Sequence, residues 1–256
     1  MSTAPLFLVE ELPKVGAHTL TGAEGRHAAT VKRIRPGEIV LLADGLGGLA
    51  RAAAGEAGKD SLELDVLDAV RLDPPAPRVL LAQALVKGDR GELAVETATE
   101  AGVDGVIPWR AARCVAKWEQ GARGEKALAR WRSTVREAAK QARRPWVPTV
   151  SAPVSTAELA RRVNEVERTL VLHESADDVL RASDLPASGD VLLVVGPEGG
   201  ISDAELDTLV AAGARTVRLG PDVLRASTAA AVALGAIGAL TDRWTARPDP
   251  FAEPSR

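Results

Sequence analysis

At Asp73-Pro-Pro-Ala-Pro77 the chain changes rhythm, and this break limits its fold more than any other feature. Three prolines in four residues remove three backbone donors and keep the chain extended, so residues 73–77 read as a linker between two structures. Before it the signals are short and strand-like: residues 7–9, 38–42 and 49–54, then the alternating Leu62-Glu-Leu-Asp-Val66. Pro36-Gly37, Asp44-Gly45 and Gly47-Gly48 separate them as turns, which predicts a small all-β barrel over residues 1–72 with one helix around 25–33.

After the break, strand and helix alternate. Strands are expected over 79–85, 105–108, 168–172, 191–195 and 216–219, and helices over 89–101, 125–142, 202–212 and 226–240. A further short helix opens at the capping box Ser155-x-x-Glu158, and a second such box, Ser202-x-x-Glu205, opens the 202–212 helix. Unbroken apolar strands such as Val191-Leu-Leu-Val-Val195 belong to parallel sheets covered on both faces, so residues 78–256 read as one α/β domain.

Composition supports this division and excludes several classes. A length of 256 residues suits one small and one medium domain, and 46% hydrophobic with 26% charged residues excludes disordered, collagen-like and coiled-coil chains. With 3% aromatic residues and no Tyr, the core must be built from Ala, Val, Leu and Ile. The one cysteine, Cys114, and three scattered histidines, His18, His27 and His173, make neither a disulfide framework nor a usual metal-ligand spacing, so no metal is expected. The first residues reach Glu10 and Glu11 without a basic region, which is not a signal peptide, and the longest uncharged run, 226–241, falls short of the ~20 apolar residues of a membrane span. A reducing cytoplasm and no membrane are expected.

The net charge of −3 hides a segregation. Residues 110–144 carry eleven Lys/Arg against three Glu, and residues 26–35 four Lys/Arg and no acid, which leaves −15 for the rest. Local fields rather than net charge govern polyanion binding, so both tracts are candidate nucleic-acid surfaces, although a solvated helix face explains either alone. Arg132, Arg136, Lys140 and Arg143 follow the spacing of one helix face.

Two loops carry the chemical information. The strand 191–195 runs into Gly196-Pro-Glu-Gly-Gly200 and then a helix, and ligands of open α/β sheets sit at such strand ends. The loop lacks both glycine-rich phosphate fingerprints and holds a carboxylate, Glu198, which argues against nucleotide phosphates and for a flat neutral or cationic ligand. A plain turn needing positive φ is the structural alternative. The next strand leads into Leu219-Gly-Pro-Asp-Val-Leu-Arg-Ala-Ser-Thr-Ala229 and a helix of small residues expected to be packed on all sides, with Arg225 at its mouth. An ion pair of Arg225 with Glu198 or Asp222 is the bland alternative.

These two loops, together with Lys87-Gly-Asp-Arg90, Glu137-Ala-Ala-Lys-Gln-Ala-Arg-Arg144 and Gly25-Arg-His-Ala-Ala-Thr-Val-Lys-Arg-Ile-Arg35, closely resemble the SPOUT-class RNA methyltransferases. Within that class the resemblance is to the family that methylates N3 of a uridine in small-subunit (16S) ribosomal RNA. It implies a PUA-like N-terminal barrel, a C-terminal α/β domain with a trefoil knot, S-adenosylmethionine as methyl donor, ribosomal RNA or the small subunit as partner, and a homodimer. Carried over by motif, Gly196, Glu198, Gly199 and Gly200 would form one wall of the cofactor site. Leu219, Gly220, Leu224, Arg225, Ser227 and Thr228 would form another, and Leu172, His173 and Glu174 a third loop. Ser227 stands where the family more often has Glu, and Arg113-Cys114 where Arg-Ser is commoner; Ser227 remains able to cap the helix or bond the ligand.

Methyl transfer to N3 needs alignment and donors for the charge that develops on O2 and O4. Arg225, always protonated, is assigned charge stabilisation or base positioning, and Glu198 proton acceptance, with holding the cofactor as its alternative. Arg26, Arg33 and Arg35 on the barrel, Lys87, Arg90 and Arg113, and Arg132, Arg136, Lys140, Arg143 and Arg144 on and beyond the basic helix are the expected RNA contacts. Four of the five tryptophans lie between 109 and 146 and read first as core anchors. Another SPOUT enzyme, acting on a ribose 2′-OH or on transfer RNA, and a non-catalytic RNA-binding assembly factor remain as alternatives.

Overall fold

The computed structural model describes residues 4–118, 121–245 and 250–251. It divides into two compact units: the described residues of Met1–Pro74, Ala139–Val147 and Ala246–Arg256, and those of Pro75–Ala138 and Pro148–Thr245. The outer ends of the expected domains, residues 1–3 and 252–256, and Glu119 of the basic tract lie outside the described residues.

The first unit is built on strands β1 (Leu6–Leu8), β2 (Gly16–Leu20), β3 (Ile39–Ala43), β4 (Gly48–Ala57) and β5 (Leu62–Arg71), in the order β1-β3-β4-β5-β2. Only β1 and β3 run parallel. Period-two patterning drives β5: Leu62, Leu64 and Val66 are buried while Glu63 and Asp65 face water. They close a core with Phe7, Leu20, Val40, Leu42 and the small Ala50, Ala52 and Ala54. The helix expected over 25–33 is instead α1 (Gly22–Arg26) followed by a π-helical turn, His27–Lys32, which Arg33 ends in the left-handed region at φ 53°. Gly25 lies within this helix because a Cβ there would collide with the carbonyl oxygens of Leu20 and Asp60.

The sequence reading placed residues 139–147 in the α/β domain, whereas they pack with the first unit. The Gly47 N–H donates to Pro145 O at 3.0 Å, the Val147 N–H donates to Gly45 O at 3.0 Å, and Leu46 forms a β-bridge with Trp146. The Trp146 indole fills the space that a side chain at Gly47 would need. The reason is local cover: the Gly45-Leu46-Gly47 turn offers the indole a surface without side chains in the way.

In the second unit, β6 (Arg78–Ala84), β7 (Gly105–Trp109), β8 (Thr149–Val150), β9 (Arg168–Leu172), β10 (Asp190–Val195) and β11 (Arg215–Val217) form one parallel sheet in the order β11-β9-β10-β6-β7-β8. Helices α2 (Arg90–Glu100), α3 (Ala122–Gln141), α4 (Thr156–Val163), α5 (Asp203–Ala211) and α6 (Ala229–Leu240) complete the alternation. From β6 the chain builds outward through β7 and β8, then returns to the other side of β6 with β9, β10 and β11. The order therefore reverses between β6 and β10, and the crevice outside their carboxyl ends is where such sheets hold ligands.

The core matches the aromatic-poor composition. Val191–Val195 are all buried in β10, and Trp109, fully buried, donates its indole N–H to Thr156 Oγ1 at 3.2 Å. Trp131 is buried edge-on against Trp118 at 4.8 Å. Helix α6 departs from expectation twice. It starts three residues later than the predicted 226, because the N–H groups of Thr228 and Ala229 donate to Arg225 O at 2.9 Å and make residues 225–228 a turn; Ser227 does not cap it. It also packs on one side only, burying Ala230, Ala233, Leu234 and Ile237 while Val232 and Leu240 are exposed. Among the described residues no helix is long and apolar enough to cross a membrane.

Candidate active site

Four strand ends meet at the switch point. The end of β6 leads to Val86-Lys87, β9 to His173-Glu174, β10 to residues 196–200, and β11 to residues 218–224. After β10 the chain makes a tight turn: the Gly200 N–H donates to Pro197 O at 2.9 Å, and Gly200 takes φ 74°, which only glycine adopts freely. After β9 the His173 N–H donates to Val217 O at 3.0 Å, and His173 Nδ1 accepts from the Ser175 N–H at 3.3 Å. A neutral His173 ring therefore carries its proton on Nε2.

These loops enclose a cavity of about 340 Å³. Its apolar lining is Val86, Val195, Ile201, Val223 and Leu224, and its polar lining is His173, Glu174, Glu198, Arg90, Arg225 and the buried Ser227. A smaller cavity of about 90 Å³ lies between Leu172–Glu174 and Leu219–Leu224. Toward α2 a wide cleft of about 890 Å³ runs along Lys87–Arg90, Leu93, Glu96 and Val115, and it shares Arg90 and Glu198 with the first cavity. Glu198 is held at this junction by one oxygen, which accepts from the Lys87 N–H at 3.2 Å. Among the described residues the Arg225 guanidinium has no ion-pair partner, so neither Glu198 nor Asp222 neutralises it.

Of the residues expected to hold a cofactor, His173, Glu174, Gly196, Glu198, Gly200, Leu224, Arg225 and Ser227 line the main cavity, and Leu172, Leu219 and Gly220 the smaller one. Two do not reach either wall. Thr228 turns its hydroxyl to Arg225 O at 3.1 Å, and Gly199 faces Arg113: a Cβ on Gly199 would lie 3.2 Å from Arg113 Cβ. The glycine at 199 thus serves a close approach of two loops. Val86, Ile201, Val223 and Arg90 join the lining without having been singled out for it, and only for Val86 and Arg90 does the missing signal have one cause: that β6 lies beside β10 is not written in local patterning.

The RNA-contact candidates divide. On the first unit Arg33 and Arg35 are exposed, and Arg26 sits 3.9 Å from Asp60. Lys140 is withdrawn from the candidate set: its ammonium is buried and bonded to Glu24 at 2.8 Å, so the row 132, 136, 140, 143 is not one solvent face. Arg143 takes φ 53° at the end of α3, and Arg144 is half-buried. On the second unit Arg132 bonds Val150 O at 3.3 Å, Arg136 is exposed, and Lys87 and Arg90 border the wide cleft.

A buried carboxylate behind the site was read from sequence only as a helix cap. Glu205, 7% exposed, accepts from the Ala112 N–H at 2.8 Å, Thr156 Oγ1 at 2.8 Å and Ser202 Oγ at 2.7 Å. Burial pushes its pKa up, but the bonds from Ser202, Ala112 and Thr156 outweigh this and hold the carboxyl below its usual range. Burial pushes the neighbouring Cys114 thiol up, which leaves it protonated at neutral pH.

Glycine-rich loops around a cavity at the switch point of a parallel α/β sheet define a ligand-binding α/β domain. Residues 74–238 match the family described as RNA methyltransferase domain, and residues 20–67 the RNA methyltransferase PUA domain. Over 95% of its length the chain is 53% identical to ribosomal RNA small subunit methyltransferase E of Mycobacterium bovis, spanning 94% of that protein. The protein of the same name from Bacillus subtilis is 32% identical over 91% of this chain and 93% of its own. The crystal structure of ribosomal RNA small subunit methyltransferase E from Neisseria gonorrhoeae, bound to S-adenosyl methionine, superposes with a TM-score of 0.80 at 29% identity, covering 93% of this chain and 98% of that one. The chain belongs to the ribosomal RNA small subunit methyltransferase E family.

Proposed function

We propose that this chain transfers a methyl group from S-adenosylmethionine to N3 of a uridine in small-subunit ribosomal RNA. The observation that carries the reading is the meeting of Glu198 and Arg225 at one cavity, on loops that follow different strands of the sheet. The residues fit the cofactor. The cavity is of small-ligand size, with aliphatic walls for a flat adenine and the carboxylates of Glu174 and Glu198 for hydroxyl, ammonium or sulfonium groups. The Neisseria relative, bound to S-adenosyl methionine, supports this.

The cofactor, when bound, supplies an electrophilic methyl carbon on a sulfonium. The chain's own residues do the rest. The wide cleft that shares Arg90 and Glu198 with the cavity admits the acceptor base, and Lys87 and Arg90 at its rim suit the flanking phosphates. As N3 gains the methyl group its proton leaves, and the oxygen of Glu198 that does not accept from Lys87 is available to receive it. Charge left on O2 and O4 in the transition state is met by the Arg225 guanidinium, which keeps its proton throughout.

The same reading makes residues 1–72 an RNA-binding barrel, 73–77 a linker and 78–256 the catalytic domain, apart from the 139–147 segment described above. It includes a trefoil knot around the cofactor loops, a cytoplasmic site of action, no metal, and a homodimer in which the exposed Val232 and Leu240 of α6 find cover.

Two experiments test it. Nucleosides of small-subunit ribosomal RNA from a strain lacking the protein should lose one N3-methyluridine, which the purified protein and S-adenosylmethionine should restore; loss of a 2′-O-methyl or a transfer-RNA modification instead would move the chain to another activity. For the RNA surface, Arg35→Gln and Arg136→Gln should each flatten the salt dependence of RNA binding by about one unit of log–log slope without touching cofactor affinity. Lys140→Gln should instead lower stability, since it removes the cation that pairs with the half-buried Glu24.

A further inference from the structure

We propose that Arg113 is a positioning residue for the cofactor turn, and that Glu205 anchors both ends of the bridge it makes. The inference rests on cofactor binding in the 196–200 cavity and adds a role that neither motif nor spacing assigns. Arg113 lies in the segment after β7, and its Nη1 donates to Gly199 O at 3.2 Å and to Ile201 O at 3.5 Å. It therefore spans the turn at Gly199, the residue that does not line the cavity, while Glu198 and Gly200 on either side do. The two segments meet closely enough that a Cβ on Gly199 would stand 3.4 Å from the carbonyl oxygen of Arg113.

Both ends of this bridge are tied to one carboxylate. Glu205 accepts from the N–H of Ala112, the residue before Arg113, and from the N–H and hydroxyl of Ser202, the residue after Ile201. Thr156 Oγ1 fixes the same carboxylate from the start of α4. The chain thus closes a frame running from Arg113 to Gly199 and Ile201, through Ser202 and Glu205, and back through Ala112. A turn with two adjacent glycines has much backbone entropy to lose when a ligand orders it. A frame that orders it beforehand lowers that cost and raises affinity without touching the ligand. One guanidinium nitrogen, Nη1, reaches both carbonyls, and a lysine, whose side chain is one bond shorter, reproduces this only in part.

The sequence reading of Arg113 as a phosphate contact predicts a different outcome, so one set of measurements separates the two. Arg113→Ala, Arg113→Lys, Glu205→Gln and the double variant are compared for S-adenosylmethionine affinity by calorimetry, for amide exchange at Gly200 and Ile201 in the cofactor-free protein, for melting temperature, and for RNA affinity at low salt. Arg113→Ala should raise the cofactor Kd about tenfold, the equivalent of about one hydrogen bond from a charged donor, and should speed exchange at the turn. In turnover the KM for cofactor should rise more than kcat falls. Arg113→Lys should recover part of the loss, and the double variant should bind no worse than the weaker single variant, because either cut opens the same frame. Unchanged cofactor affinity and exchange in Arg113→Ala, with only RNA affinity reduced, would overturn the proposal, as would fully multiplicative losses in the double variant. Should Glu205→Gln fail to fold, the Ala and Lys variants at 113 still decide. A wild-type chain that binds no S-adenosylmethionine sinks the proposed function itself, while the exchange measurement still reports on the frame.

Discussion

Arg225→Ala should lower kcat for methyl transfer about 10²–10³-fold while changing the cofactor Kd by no more than a few-fold, the signature of a donor that acts mainly on developing charge. The guanidinium lines the cavity, and among the described residues it is not neutralised by a carboxylate, so its charge is available to an incoming base. The substitution is clean because the local turn is made by the backbone: Arg225 O accepts from Thr228 and Ala229, and those bonds survive loss of the side chain. Arg225→Lys should recover only part of the rate, since an ammonium lacks the planar fork. Single-turnover methylation of a small-subunit RNA fragment, beside calorimetry with cofactor alone, checks both numbers. An unchanged kcat with a weakened cofactor Kd would reassign Arg225 to holding the cofactor.

Gly200→Val should weaken cofactor binding at least tenfold with little change in secondary structure. Gly200 sits at φ 74°, where a β-branched residue is strained by about 1–3 kcal/mol, it lines the cavity, and a Cβ there would stand 3.7 Å from Arg113 Nη1, so the substitution distorts the turn that forms the cavity wall. Gly213→Val supplies the control. It has φ 105° and nothing within 4 Å of a would-be Cβ, so it carries backbone strain of the same kind without facing the cavity. It should lose stability alone. Equal cofactor affinity in the two variants would place the binding site elsewhere.

The resemblance of the two Gly-Pro loops to a known family located most of the cavity wall, because a strand end, a tight turn and a helix start are encoded by neighbouring residues. What lay beyond its reach was set by partners distant in sequence. Gly199 was expected in one wall of the cofactor site, and it faces Arg113, 86 residues away in sequence. Lys140 was expected as a phosphate contact on the face of a basic helix, and its neighbour is Glu24 on another segment. Glu205 was legible as a helix cap through Ser202, and its bond to Ala112, 93 residues away, was not. The π-helical turn at His27–Lys32 escaped as well, since the contact that requires glycine at 25 is partly with Asp60, a residue distant in sequence.

By itself, then, the sequence determined what depends on short-range physics. The proline break marks where the sheet unit gives way to the α/β unit, period-two and unbroken apolar runs define the strands, Ser155 and Glu158 cap α4, and glycine at 200 allows the left-handed turn. The order of the strands was decided only in three dimensions. Six parallel strands can be stacked in many sequences of neighbours with similar local patterning, and the one adopted is selected by how their helices and side chains pack together. That order puts β6 beside β10, brings Val86 and Arg90 into the cavity with Glu198 and Arg225, and lays Arg113 across the turn. Long-range packing has no signature in a window of neighbouring residues, which is why the chemistry of the loops was readable and their partners were not.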